Sequence, residues 1–118
     1  MVGKIIGLPA SLADFGDFLK EEGYLTNATE GLDFVISFVR TIPDVDDTIP
    51  AIYELSFDGL LWMVYPKKTS GIGSELNRDF GWKGLNEIGY QGVAMVSLND
   101  SWSAFRFRST SLIKSSKH

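Results

Sequence analysis

Residues 90–109, YQGVAMVSLNDSWSAFRFRS, decide the fold. Two β-prone runs, 90–98 and 102–109, flank the turn-forming triplet Asn99-Asp100-Ser101, and this pattern predicts a hairpin. In the second arm Trp102, Ala104, Phe105 and Phe107 alternate imperfectly with Ser103, Arg106 and Arg108, so one face is expected to meet solvent or a ligand. Arg106 and Arg108 stand two apart and share a face of the strand. A solvated face is the plainer expectation for the pair.

Upstream of the hairpin, strands alternate with helices. KIIGL (4–8) is a short apolar run, followed by Leu12, Phe15, Phe18 and Leu19 at helical spacing and closed by Gly23, with Ser11 as the expected cap. LDFVISFV (32–39) is nearly continuous and rich in β-branched and aromatic residues, as a strand buried on both faces should be. Next, RTIPDVDDTIP leads to Ile49, Ile52, Tyr53 and Leu55, a short helix that tolerates Pro50 in its first turn. GLLWMVYP (59–66) is a second central strand, and Leu76, Phe80, Leu85 and Ile88 predict a helix over 74–88, interrupted near Gly81. The tail 110–118 lacks periodicity and is expected to fray. The order gives one α/β domain over 1–118, a three-layer sandwich around a mostly parallel sheet with right-handed crossovers.

The composition of this 118-residue chain narrows the chemistry. Its longest apolar run, LLWMVY (60–65), is far below the roughly 20 residues of a membrane-spanning helix. With no cysteine, disulfides and thiolate catalysis are excluded, and with no visible secretory signal the expected setting is the cytoplasm. The sole histidine is His118, so Ser-His and Cys-His designs and histidine-ligated zinc are not expected. Residues 1–62 carry a net charge of −8 and residues 63–118 a net charge of +4. Such asymmetry can mark a face for an anion or favour self-association.

The closing hairpin also carries a resemblance. An α/β domain ending in helix, strand and antiparallel strand resembles the carboxyl half of the S-adenosylmethionine-dependent methyltransferase fold, which implies strand order 1-2-3-5-4 with strand 5 antiparallel. Pro66-Lys67-Lys68, Ser70-Gly71, Leu76-Asn77-Arg78-Asp79 and the arm Trp102-Ser103-Ala104-Phe105-Arg106-Phe107-Arg108 are similar to a family of small bacterial proteins of unknown function. That likeness covers residues 30–109 and implies no activity. True methyltransferases place a glycine-rich turn after the first strand and an acidic residue after the second. Here the first strand runs into Gly7-Leu8-Pro9-Ala10-Ser11, so methyl transfer is not expected.

The stretch after the second central strand, PKKTSGIGSELNR (66–78), holds the candidate site. Lys67, Lys68 and Arg78 bracket Ser70 and Gly71 beyond the carboxyl end of a central strand, where ligands of open α/β sheets sit, and Ser74 with Glu75 is expected to open a helix. An anion cradle and a solvated loop with a capped helix are both consistent with this pattern, and Glu75 speaks for the second. GIGSEL (71–76) mimics a dinucleotide fingerprint, but Leu76 stands where the third small residue belongs, and no Gly-Lys-Ser or Gly-Lys-Thr follows to make a phosphate-binding P-loop. Asp44, Asp46 and Asp47 could attract a hard cation, yet helix capping explains them more simply. Trp62, Trp82, Trp102, Phe80 and Tyr65 read as core, and an acidic chain without a basic aromatic face is a poor nucleic-acid binder.

These readings favour a non-catalytic module that binds an anionic small molecule or a partner protein at this loop, with no cofactor, metal, nucleic acid or membrane. The alternative is an enzyme on a reduced methyltransferase-like fold using Lys67 or Lys68. Unprotected strands at the sheet edges also make a homodimer the expected assembly.

Overall fold

The computed structural model describes residues 1–113 of the chain; Lys114 to His118 lie outside the described residues, and with them the sole histidine. Its strands are β1 (Gly3–Ile6), β2 (Leu32–Phe38), β3 (Leu55–Pro66), β4 (Tyr90–Ser97) and β5 (Trp102–Ser109). Its α-helices are α1 (Ala13–Glu21), α2 (Ile42–Asp47), α3 (Ile49–Ile52) and α4 (Lys83–Glu87). The sheet has the order β1-β2-β3-β5-β4. β1, β2 and β3 run parallel, and β5 is antiparallel to both β3 and β4. The strand order, and the antiparallel placement of the last strand, agree with the sequence-based expectation.

Alternation along the strands sorts side chains onto two faces. Val35, Val39, Leu61, Met63, Tyr65 and Phe107 face α2, α3 and α4 and form the larger core with Val45, Ile52 and Leu85. Phe38, Val64, Trp102 and Ala104 point the other way, towards Leu12 and Phe15 at the start of α1. β2 is buried almost throughout, as its continuous apolar run requires. One polar pair is built into the larger core: Ser37 and Thr48, both wholly buried, share a hydrogen bond of 2.7 Å, and Thr48 Oγ1 also donates to the Asp44 carbonyl at 3.1 Å. The pair pins β2 to the α2–α3 junction, with each buried hydroxyl satisfied.

Several local expectations are corrected. The first helix takes Leu12 at its N-cap after a 3-10 turn at Ala10–Leu12, with no side-chain cap, so Ser11 does not fill that role. α2 was not foreseen as a helix; a capping box between Thr41 and Asp44 starts it, and Pro43 fits its first turn. Pro50 does lie in the first turn of α3, but Leu55 belongs to β3, which begins earlier than expected. The tail starts in order, as Thr110–Leu112 form a 3-10 turn whose first amide donates to the Gly89 carbonyl at 2.7 Å.

The largest correction concerns the helix expected over 74–88. Only Lys83–Glu87 are α-helical. Residues 74–82 are held instead by bonds that compete with a helix. Ser74 Oγ donates to the Arg40 carbonyl (3.0 Å) and accepts from the Leu76 amide (3.1 Å), while the Glu75 carboxylate accepts from the Ile42 amide at 2.5 Å. Glu75 thus serves a helix start, but that of α2. Asn77 and Phe80 then close a turn, and Gly81 at φ 106° is in a conformation that a side chain resists. Any β-carbon there would also collide with Leu76 Cδ2.

Candidate functional site

A five-residue α4 cannot cover the sheet beside it. The face of β5 and β4 that a helix over 74–88 would have roofed is left partly open, and β4 is exposed along nearly its whole length. Val93 and Met95 are among the exposed large apolar residues of that strand. Directly opposite residues across the ladder share this face: Tyr65 with Ser103, Ser103 with Ser97, Met63 with Phe105, and Phe105 with Met95. Two cavities lie along it.

The first, of about 200 Å³, sits at the carboxyl end of β3 and is lined by Tyr65, Pro66, Lys67, Lys68, Leu76, Asn77, Arg78 and Ser103. It therefore brings together Lys67, Lys68 and Arg78, the three cations singled out from the sequence. The Lys67 ammonium donates to Ser97 Oγ at 2.5 Å, at the turn end of the hairpin. Burial raises the Tyr65 hydroxyl above its ordinary range, Arg78 partly offsets this, and Asp79 adds to it, so both charged groups lie close to that ring. Tyr65 Oη itself donates to Met95 Sδ at 3.7 Å.

The remaining residues of the sequence-predicted site do not join this cavity. Ser70 Oγ donates to the Lys67 carbonyl (2.7 Å) and accepts from the Ile72 amide (3.0 Å), closing a 3-10 turn at Lys68–Ser70 that Gly71 exits in the left-handed region. These two residues shape the loop that carries the lysines. Ser74 is turned towards Arg40, beside a separate cavity lined by Arg40, Thr41, Asp44, Gly73, Ser74 and Glu75. Because Glu75 lies there, it does not neutralise the lysine cluster. Among the described residues, Lys67, Lys68 and Arg78 form no ion pair, and no acid lines their cavity.

Arg106 and Arg108 belong to the opposite face of the sheet and do not reach the lysine loop. Arg108 makes a bidentate pair with Asp58, at 2.9 and 2.7 Å, and these hydrogen bonds hold the Asp58 carboxyl below its ordinary range. Arg106 lies across from Trp62 and Ala94, with its Nε buried and without a hydrogen-bond partner. Asp44 is occupied by capping, its carboxylate accepting from the Arg40 and Thr41 amides at 2.9 and 3.1 Å. Among the described residues no acidic or histidine cluster is arranged to hold a metal ion.

A second, larger cavity of about 510 Å³ adjoins the first through Arg78, which lines both. Its apolar wall is Trp82, Phe105 and Phe107, with Phe80 at the mouth and Asp79, Lys83 and Asn86 around it. Edge-to-face and tilted contacts fix the rings: Trp82 lies 5.6 Å from Phe105 and 5.2 Å from Phe107, and Phe105 lies 4.7 Å from Phe107. Trp82 Nε1 is anchored on the Asn77 carbonyl at 2.8 Å. Trp82, Trp102 and Tyr65 are core residues as expected, but Phe80, at 53 % exposed, is not. The sequence signal for this wall is the Phe-Arg-Phe-Arg alternation of β5, from which one face of the strand is expected to meet solvent or a ligand, though the alternation alone does not say that it is the aromatic one.

No family model matches the chain, and no curated protein matches it. Among solved structures, a protein from Sulfolobus solfataricus with a provisional type 11 methyltransferase assignment is 12 % identical at a TM-score of 0.62, the match covering 98 % of this chain and 89 % of that one. The chain resembles methyltransferases in fold. The N-methyltransferase NodS from Bradyrhizobium japonicum, solved with S-adenosyl-L-homocysteine, is 14 % identical at a TM-score of 0.50, over 89 % of this chain and 64 % of that one. At such identities the likeness extends to the fold alone.

The residues at the β1 end do not fit the nucleoside cofactor that the methyltransferase fold implies. Gly7, at φ 69°, is needed because the Phe38 carbonyl oxygen lies 2.7 Å from where its β-carbon would stand. Close packing within the protein therefore accounts for that glycine, and Leu8 and Pro9 follow it. β1 is a sheet edge, and the residues that follow β2 are Val39 and Arg40, where an acid would be wanted for a ribose; the Arg40 Nε donates to the Gly73 carbonyl at 2.8 Å. No helix of the described residues is long and apolar enough to cross a membrane.

Proposed function

We propose that this chain is a non-catalytic α/β module that binds an anionic small molecule, or an anionic group of a partner protein, at the loop after β3. The observation carrying this reading is the convergence of Lys67, Lys68 and Arg78 on one cavity with no acid in its lining. Three cations that make no ion pair among the described residues repel one another, and an anion relieves that repulsion while accepting charge-assisted hydrogen bonds. Ser103 adds a hydroxyl to the lining, and the Ser70 turn holds the lysines at the end of a central strand.

The alternative, an enzyme on a reduced methyltransferase-like fold using Lys67 or Lys68, draws on the likeness of fold. The Lys67 ammonium is already engaged by Ser97, which suits a structural or binding role better than proton transfer. Calorimetric titration with inorganic phosphate, at low and at high ionic strength, tests the binding reading. The wild type should bind and lose affinity with salt, and a Lys67→Ala/Lys68→Ala protein should bind about tenfold more weakly with a flatter salt response. Equal affinities for the two proteins would remove the site. Turnover in a general activity screen that disappears in Lys67→Ala or Lys68→Ala would favour the enzyme.

A further inference from the structure

We infer that the ligand joins its anionic group to a flat aromatic ring, the chemistry of a nucleoside monophosphate, with the ring in the cavity walled by Phe80, Trp82 and Phe105. This rests on the anion reading above and extends it along the open face of β5 and β4. Arg78 lines both cavities, and the Tyr65 and Trp82 rings that flank it are 5.5 Å apart, so the two spaces are neighbours on one surface. A ligand seated at Lys67 and Lys68 is thereby led past Arg78 into the larger space.

That space has the size and the lining of a ring site. Its volume of about 510 Å³ falls within the roughly 300–1,000 Å³ of small-molecule pockets. Phe105 is half-buried and held by Trp82 and Phe107, which makes it a fixed platform, while Phe80 keeps half its surface in solvent on the turn opposite. A solvent-exposed phenylalanine beside an aromatic platform has no packing role in the core, yet a flat ring entering the cavity would cover both. Polar groups at the mouth can read the ring's edge. The Asn86 amide nitrogen is spent on the Tyr90 carbonyl at 2.9 Å, leaving its oxygen and the Asp79 carboxylate as acceptors, with Lys83 and Arg78 as donors. An all-apolar partner would leave these groups without a role, and a bare phosphate would leave the aromatic wall uncovered.

Adenosine monophosphate, adenosine and inorganic phosphate, titrated separately into the full chain, test the inference. Adenosine monophosphate should bind at least about tenfold more tightly than phosphate, since a stacked base adds that much or more. Phe80→Ala should bring it down to the phosphate level while leaving phosphate binding unchanged; Phe80 is exposed, so the variant is expected to fold. Lys67→Ala/Lys68→Ala should weaken both anions. Phosphate binding with no gain from the nucleoside would overturn this inference and leave the anion site standing. Nucleoside binding as tight as that of the nucleotide, with no phosphate binding, would overturn the anion reading and this inference with it, as would binding of none of the three.

Discussion

β2 and β4 are strands of similar length in one sheet, but they live in different surroundings. β2 is covered by α2 and α3 on one face and by the start of α1 on the other, and its side chains are buried almost without break. β4 is a free edge with a five-residue helix beside it, and Val93, Met95 and Val96 remain exposed. The half of the sheet that the helices cover is spent on stability. The half left bare has surface available for a ligand, and there the three cations and the open aromatic wall are found.

Truncations in the two halves should differ most. Phe38→Ala, which empties a site on β2 that is 6 % exposed and packed against Trp102, should cost about 3–5 kcal/mol. Val96→Ala on the bare edge, at a site 50 % exposed, should cost under about 0.5 kcal/mol. Urea denaturation of both variants checks this, and similar midpoints would break the comparison.

The link between the halves should give an intermediate effect. Glu75→Ala removes the carboxylate that ties the 74–82 loop to the start of α2, for an expected loss of about 1 kcal/mol. Hydrogen exchange should quicken around residues 72–78 while β2 and β3 keep their protection. Uniform loosening would mean that the loop supports the covered half as well.

How far the sequence discloses each half follows from what holds it. Continuous apolar runs such as LDFVISFV and GLLWMVYP announce buried strands because burial on two faces leaves no other pattern, and the Asn99-Asp100-Ser101 turn announces the hairpin. Strand order came from resemblance, since no local pattern states which strands are neighbours. The loop over 74–82 was misread because Leu76, Phe80 and Leu85 mimic a helical period, whereas the bonds from Ser74 and Glu75 to Arg40 and Ile42 reach across more than thirty residues. Lys67, Lys68 and Arg78 were legible as a cluster by charge. The aromatic wall was not, because only the lost helix leaves Phe105 and Phe80 uncovered.

A smaller effect concerns acid. The Arg108 hydrogen bonds lower the Asp58 carboxyl, so their stabilisation is complete above the ordinary value near 4 and is lost as pH falls through the depressed folded value. Asp58→Asn should therefore be less stable than wild type at neutral pH, with the difference closing in strong acid. A thermal melting series over pH checks the sign. Smallest of all, Arg78→Gln should move the Tyr65 titration further up, because the cation that offsets its burial is gone; Tyr65→Phe identifies that tyrosine's share of the ultraviolet signal.

The claim that the bare half carries the ligand is tested most directly by amide chemical-shift mapping during titration with adenosine monophosphate. Shifts confined to residues 65–68, 76–86 and the facing parts of β4 and β5 are expected. Shifts centred instead on Gly7 to Ser11 and on Phe38 to Thr41, at the β1 end where a methyltransferase cofactor would be held, would contradict it.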